Sequence, residues 1–314
     1  MGNNLFKYSN NNKRYNTLNY YNKQNFGKKI YKAVIDLGLT CPNIDGSKGT
    51  GGCIFCDGGS GYFTHGEVDI EAQLRLEKDR ICSKYGDNAE FTAYFQANTN
   101  TYAPVEFLRK AYYTALQFSN VFGISIGTRA DCLSDDIMVL LKELNSKTHL
   151  TVELGMQSCH ENTISLINRC CSHEEFKKGY YKLKNTGIRT CLHVINGLPY
   201  ESKDDMLETA KELALLRPNA VKLQMLHVIK GTKLADMYSN GEFKLLERDE
   251  YIDIIAHQLE LLPPETVIER ITGDGDKSKL IAPMWSADKI AVLGGIDKCL
   301  AELDTWQGKL YSET

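Results

Sequence analysis

Three cysteines, Cys41, Cys53 and Cys56, are spaced C-x11-C-x2-C on a stretch that holds seven glycines between Gly46 and Gly61. Thiolates are soft ligands that suit zinc and iron–sulfur clusters. A closed structural zinc site takes four ligands, and iron–sulfur electron carriers use four cysteines. Three with no obvious fourth point to a cluster with one iron open to a further ligand. Glycine admits positive φ and a close approach of backbone, so this loop can wrap three sulfurs and turn N–H groups toward them. Phe55 supplies an aromatic face beside the open position. A zinc ion on the three cysteines plus His65 is the competing arrangement. Three unrelated buried thiols are the plainest reading, but a glycine-rich loop is a poor place to bury cysteine. Cys82, Cys132, Cys159, Cys170, Cys171, Cys191 and Cys299 show no C-x2-C pairing, so a second cluster is not expected. Cys170 and Cys171, beside Arg169, read as packing thiols.

The elements that must position these residues alternate. An apolar run, 30–37, reads as a strand ahead of the cysteine loop. An amphipathic helix follows over 67–84, then a strand at 91–96 and a helix opening at Pro104, where a missing N–H costs nothing. The alternation continues with strand 121–126, helix 134–145 with Ser134 as N-cap, strand 150–155, helices near 161–168 and over 173–184, strand 190–195, helix 203–216 and strand 220–226. Six strands alternating with helices argue a parallel sheet covered by helices. From 246 a helix (248–261), Pro263-Pro264, a strand (266–271) and a last helix (286–303) read as an extension packed on that core. The expected organisation is a leader over 1–29, a core over 30–245 and an extension over 246–314.

Ligands of parallel α/β folds sit at the carboxyl ends of strands. Those ends carry Gln96 and Asn98, then Arg129 and Asp131, then Glu153 and Gln157, then Asn196 and Gly197, then Lys230. A strand-end amide often does no more than satisfy loop backbone, yet here every exit is polar.

Of the 314 residues, 42% are apolar and 25% charged, in keeping with a globular chain that has a sizeable core. No apolar run approaches the ~20 residues of a membrane span, and the N-terminus lacks an apolar signal core, so a cytoplasmic protein with no membrane partner is expected. Ten cysteines then argue for thiols and metal rather than disulfides. Net charge is −3, but residues 1–29 hold six Lys or Arg and no acid, which leaves −9 on the remainder. With Tyr8, Tyr15, Tyr20 and Tyr21 interleaved, that leader suits a phosphate backbone with stacked bases. A solvated, partly disordered leader is the other reading.

The cysteine loop resembles that of radical S-adenosylmethionine (SAM) enzymes, which usually read C-x3-C-x-aromatic-C. Its longer first gap, with Pro42-Asn43-x-Asp45-Gly46 and Gly51-Gly52-Cys53-x-Phe55-Cys56, is similar to the YhcC/YtqA-like subgroup, related to the radical-SAM module of the elongator catalytic subunit. Ile44 departs from that pattern, which has arginine there. The resemblance extends from about Lys13 to Gly308, through Lys13-Arg14-Tyr15, Glu269-Arg270, Gly273-Asp274-Gly275, Ala282-Pro283-Met284-Trp285 and Thr305-Trp306.

This resemblance implies an α/β fold, a partial (βα)6 TIM-like barrel with a C-terminal helix and strand extension. It implies that Cys41, Cys53 and Cys56 bind a [4Fe-4S] cluster whose open iron chelates SAM. One electron from an external donor such as flavodoxin or ferredoxin then yields methionine and a 5′-deoxyadenosyl radical. Gln96 and Asn98 fall where the family meets the SAM amine. Gln157 and Arg169 match residues of oxygen-independent coproporphyrinogen oxidases that grip ribose and carboxylate, a role suited to a guanidinium fork. Asn196, Gly197 and Lys230 fall near the adenine, while His193 replaces an aspartate of that oxidase family. Glu153 is either the fourth-strand acid near SAM or a buried acid paired to Arg129. Arg270 and Asp274 are implied substrate contacts. Modification of tRNA wobble uridine is the implied activity. The alternatives are radical chemistry on a small molecule and a zinc-bound RNA-interaction protein.

Overall fold

Short apolar runs, each followed by a helix with its own start signal, set the order of elements. The structure, a computed structural model, describes residues 6–58, 66, 69–273 and 278–312. The first half runs α1 (Leu18–Phe26), β1 (Ile30–Ile35), α2 (Ile70–Tyr85), β2 (Glu90–Phe95), α3 (Val105–Gln117), β3 (Val121–Thr128), α4 (Asp135–Asn145) and β4 (His149–Gln157). The middle runs α5 (Glu161–Leu166), α6 (His173–Lys184), β5 (Arg189–Asn196), α7 (Lys203–Leu216) and β6 (Ala220–Met225). The end runs β7 (Val228–Ile229), α8 (Lys233–Ser239), α9 (Arg248–Leu261), β8 (Val267–Arg270), β9 (Leu280–Ala282) and α10 (Lys289–Glu302). The (βα)6 alternation of a partial TIM-like barrel is thus present, with a helix and strand extension after it.

The chain divides into two compact units, residues 26–155 with 168–190, and residues 1–25 with 156–167 and 191–314; the division falls inside α1, β4 and β5. In the first, β1 to β4 lie parallel in chain order, with Ile35 opposite Phe95, Phe95 opposite Ile126 and Ile126 opposite Val152. All four of these side chains are fully buried, as parallel strands covered on both faces require. In the second unit, β5, β6 and β8 are parallel neighbours, and β7 pairs antiparallel with β9. Buried Tyr251 of α9 ties that sheet together by donating its hydroxyl to Leu223 O (3.2 Å) and Ile271 O (2.8 Å).

Local chemistry fixes the helix starts. Ser172 with Glu175, and Ser202 with Asp205, form capping boxes at α6 and α7. Ser134 occupies the N-cap of α4 as expected, but its hydroxyl turns to the Asp136 carboxylate. The single helix expected over 286–303 is broken instead. A 3-10 turn, Met284–Ala287, precedes α10 because the Asp288 carboxylate caps Ala291 N (3.0 Å) and restarts the helix there. The strand expected at 266–271 forms as β8 and extends the parallel set beside β6.

The leader corrects the reading of a solvated, disordered segment. Phe6 and Tyr15 are buried. Asn16 O accepts from Ile268 N (2.7 Å), and Thr17 bridges Ile268 in parallel, so the leader lies along β8. Two of its cations meet acids, Lys13 with Asp297 at 2.5 Å and Arg14 with Asp304 at 3.0 Å. Lys28, in the other unit, pairs with Glu90 at 2.5 Å. No helix among the described residues is long and apolar enough to cross a membrane.

Gln307 is the clasp of this arrangement. Fully buried, it donates to Pro263 O (2.7 Å) and Thr266 O (2.8 Å), and its Oε1 accepts from Asn16 N (2.9 Å). Gln307→Ala strands those partners without water and is expected to cost about 2–4 kcal/mol. Urea denaturation with an unchanged slope checks this, and an unmoved midpoint would refute it.

Candidate metal centre

The cysteine loop follows β1 in the first unit and is held by side-chain amides. Asn98, in the left-handed region at φ 57°, donates to Leu39 O (2.7 Å) and Gly58 O (3.3 Å), gripping both ends of the loop. Asn168, at φ 52°, donates to Thr50 O (3.1 Å) and Gly52 O (2.7 Å). Asn43, fully buried, donates to Asn168 O and to Cys53 Sγ (3.7 Å). Cys56 N donates to Cys53 O (2.9 Å), closing the turn between the second and third cysteines. Gly51 and Gly52 stand at φ 79° and 72°, which lets the chain reverse just before Cys53.

Burial pushes the Cys53 thiol above the ordinary range; Arg169, Arg129 and the Asn43 hydrogen bond oppose this, and Cys41 adds to it. Desolvation of its sulfur also raises Cys56, against the Gly58 N–H and together with Cys53, Asp57 and Cys41. Three soft thiolate donors suit an iron–sulfur cluster with an open corner, whereas a closed tetrahedral zinc site would need a fourth ligand. His65, the expected fourth zinc ligand, lies outside the described residues.

Arg129 was expected at the cofactor, and the structure gives its donors to protein. Its fork bonds Asp131 bidentately, Nε to Oδ1 at 2.9 Å and Nη2 to Oδ2 at 2.8 Å. Nη1 reaches Arg169 O (3.0 Å) and Nη2 also reaches Cys170 O (3.1 Å). Lys48 of the cysteine loop also meets Asp131 Oδ2, at 2.7 Å. The pairing of Glu153 with Arg129 does not form. Glu153 sits mid-strand on β4 opposite Gly127, short of Arg129, and accepts from Lys32 Nζ (2.8 Å) and Ser125 Oγ (2.5 Å). Arg169 is buried and spends one N–H on Gly155 O (2.7 Å). Phe55 is half-buried on the loop, and Gln96 N donates to Ile35 O (3.1 Å).

In the second unit, Gln157 ends β4 at φ 70°, and its Oε1 is buried with no hydrogen-bond partner among the described residues. The Asn196 amide exchanges two hydrogen bonds with Gln258 (2.9 and 2.8 Å), and its backbone O accepts from Leu226 N (2.9 Å). Gly197 stands at φ 85°, a turn that a side chain would strain. Lys230 is exposed, with its N–H on Lys279 O (2.9 Å), and Arg270 is half-buried at the end of β8. Asp274 lies outside the described residues. Sequence reasoning overlooked Asn43 and Lys48, although both lie inside the cysteine stretch; the Pro42-Asn43 pair directly after a thiol was the available signal.

A family model described as the Radical SAM superfamily matches residues 45–213, more than half of the chain, and one described as Radical_SAM C-terminal domain matches 218–302. The chain is 46% identical over 313 residues to the uncharacterized protein YtqA of Bacillus subtilis, covering 99% of this chain and 97% of that one. It is 30% identical over 281 residues to protein YhcC of Escherichia coli, covering 88% and 89%. A shorter match, 31% over 157 residues, is to a tRNA uridine(34) acetyltransferase of Methanocaldococcus infernus and covers 48% of this chain and 28% of that one. Among solved structures, the archaeal Elp3 of M. infernus with an N-terminal deletion shares the fold with a TM-score of 0.67 and 19% identity, over 88% of this chain and 64% of that one.

The Lys48–Asp131–Arg129 relay has a signature in acid. Burial alone would raise the Asp131 carboxyl, but hydrogen bonding and charge from Arg129, then Lys48, bring it down to about 2 from 3.8. A depressed folded pKa contributes stability that is present above the unfolded value and lost as pH falls toward 2. Asp131→Asn should therefore flatten the fall in stability between about pH 4 and pH 2. Parallel denaturation curves for variant and wild type across that window would contradict this.

Proposed function

The chain belongs to the radical SAM superfamily, and from that premise we propose that Cys41, Cys53 and Cys56 are the three protein ligands of its [4Fe-4S] cluster. It is an enzyme, and its cofactors are that cluster and SAM. The observation that carries the ligand assignment is one loop, braced by the Asn98 and Asn168 amides, that holds all three thiols. When bound, the pair of cofactors supplies a 5′-deoxyadenosyl radical by one-electron cleavage of SAM, and the electron comes from an external donor of the flavodoxin or ferredoxin kind.

The protein's share is to bind, orient and exclude water. Arg169 offers a buried guanidinium whose unspent N–H groups suit the SAM carboxylate. Gln157 offers a buried carbonyl oxygen suited to a ribose hydroxyl. Gly197 keeps the adenine role that its turn at the fifth-strand exit suggests, Gln96 and Lys230 keep the cofactor roles that their positions after strands suggest, and Glu153 keeps that of the fourth-strand acid. Arg129 and Asn98 serve the cofactors indirectly, by bracing the loops that carry Cys53 and Arg169. Arg270 and Asp274 remain the assigned substrate contacts.

For substrate we assign the wobble uridine of tRNA. Its support is the relative named as a tRNA uridine(34) acetyltransferase. A small molecule is the second reading, and the leader favours it. Lys13, Arg14 and Lys28 already neutralise carboxylates, and Tyr15 is buried, so these groups are poorly placed to track a phosphate backbone.

Anaerobic reconstitution with iron and sulfide, then dithionite and SAM, tests both layers. Wild type is expected to release 5′-deoxyadenosine, and Cys56→Ala to release at least ~100-fold less, since removing one ligand of a metal site costs at least the 10–100-fold seen for outer-shell partners. Zinc bound one to one with no cluster would sink the ligand assignment. Deoxyadenosine yield that rises with tRNA supports the wobble-uridine reading, and tRNA that neither binds nor stimulates leaves the small-molecule reading standing.

A further inference from the structure

Asn43 lies two residues beyond Cys41 and has no solvent exposure. Both hydrogens of its amide nitrogen have acceptors, the Asn168 carbonyl and Cys53 Sγ at 3.7 Å. These two acceptors fix the orientation of the amide, because the flipped form would set its oxygen against a carbonyl oxygen and a sulfur. The chosen orientation leaves Asn43 Oδ1 buried with no hydrogen-bond partner, an arrangement folded proteins rarely tolerate without a reason.

The loop is built around this amide. Gly49 passes so close that a Cβ there would stand 2.4 Å from Asn43 Oδ1 and 2.6 Å from Cys170 Sγ. Gly49 N and Lys48 N both donate to Pro42 O (3.2 and 2.8 Å), and Gly52 N donates to Asn43 O (2.8 Å). Asn43 is therefore caged between the carbonyls and glycines of the loop that carries Cys53.

We infer that Asn43 is a positioning residue that directs an N–H···S hydrogen bond onto Cys53 and so raises the reduction potential of the cluster held there. This rests on Cys53 being a cluster ligand, as proposed above. Hydrogen bonds to ligand sulfurs are one of the levers that set iron–sulfur potentials. A donor stabilises the reduced form more, because that form places more negative charge on sulfur. Removing the donor makes the centre harder to reduce. A purely structural role, tying Cys53 to Asn168, would instead affect whether the cluster is held and leave its potential alone.

Two full-length variants separate these roles. Asn43→Leu keeps the volume and removes the donor; Asn43→Ser keeps a polar group too short to reach the sulfur and decides the matter if the leucine variant does not fold. Iron and sulfide content, and the midpoint from a redox titration followed by electron paramagnetic resonance, are compared with wild type. The expected result is wild-type iron content with a more negative midpoint. At fixed donor potential the ratio of reduced to oxidised cluster should fall about tenfold, about 59 mV for one electron. A full cluster at the wild-type midpoint overturns the inference. Loss of iron from folded variants also overturns it, in favour of the structural role. A wild type that takes up no cluster removes the ligand assignment, and this inference with it, and that failure shows before any variant is made.

Discussion

Glycine pays the largest entropic penalty on ordering, so a loop rich in it holds three sulfurs only if something captures its carbonyls. Here three asparagines do so. Asn98 takes Leu39 O and Gly58 O, Asn168 takes Thr50 O and Gly52 O, and Asn43 reaches across to Asn168 O. Each capture exchanges a water contact for an internal one, a net gain of about 0.5–1.5 kcal/mol, and together they offset part of the ordering cost. Two of the asparagines hold left-handed backbone to do it, Asn98 at φ 57° and Asn168 at φ 52°. Strain kept there, rather than relieved, marks a segment held for function.

Electrostatics supply the second brace. Two cations, Arg129 and Lys48, converge on the Asp131 carboxylate, and Arg129 also donates to the carbonyls of Arg169 and Cys170. A bidentate guanidinium so engaged is rigid, and it fixes the backbone from which the Arg169 side chain projects. Burying such a pair costs desolvation, but here each charge is met by hydrogen bonds as well as by its partner, the condition under which buried ion pairs persist. The arrangement leaves a net positive field near Cys53, visible as the opposition of Arg129 and Arg169 to the rise of its thiol.

Much of this was legible from local pattern. The limits of α6, α7 and α9 follow from their start signals and apolar period, and the sulfur spacing with its glycines singled out the loop before any coordinates. What stayed hidden depends on contacts between distant parts of the chain. Charge composition suggested a free basic leader, but the partners of Lys13 and Arg14 are Asp297 and Asp304, nearly the whole chain away. Glu153 found Lys32 instead of Arg129 because strand register, not sequence proximity, decides which side chains meet. The helix expected over 286–303 broke because an aspartate at 288 is also a good N-cap, and a single apolar period conceals that choice.

The raised thiols of Cys53 and Cys56 say something further about how the site fills. A metal ligand must be a thiolate, and desolvation works against that charge until a cation arrives. Metal uptake therefore releases protons and strengthens as pH rises. In small zinc modules the same coupling makes the metal responsible for the fold. Here the loop is braced by Asn98, Asn168 and the Lys48–Asp131 pair, none of which uses a sulfur. Those braces hold the backbone of the loop by protein contacts alone, so the placement of its three sulfurs is set by protein geometry.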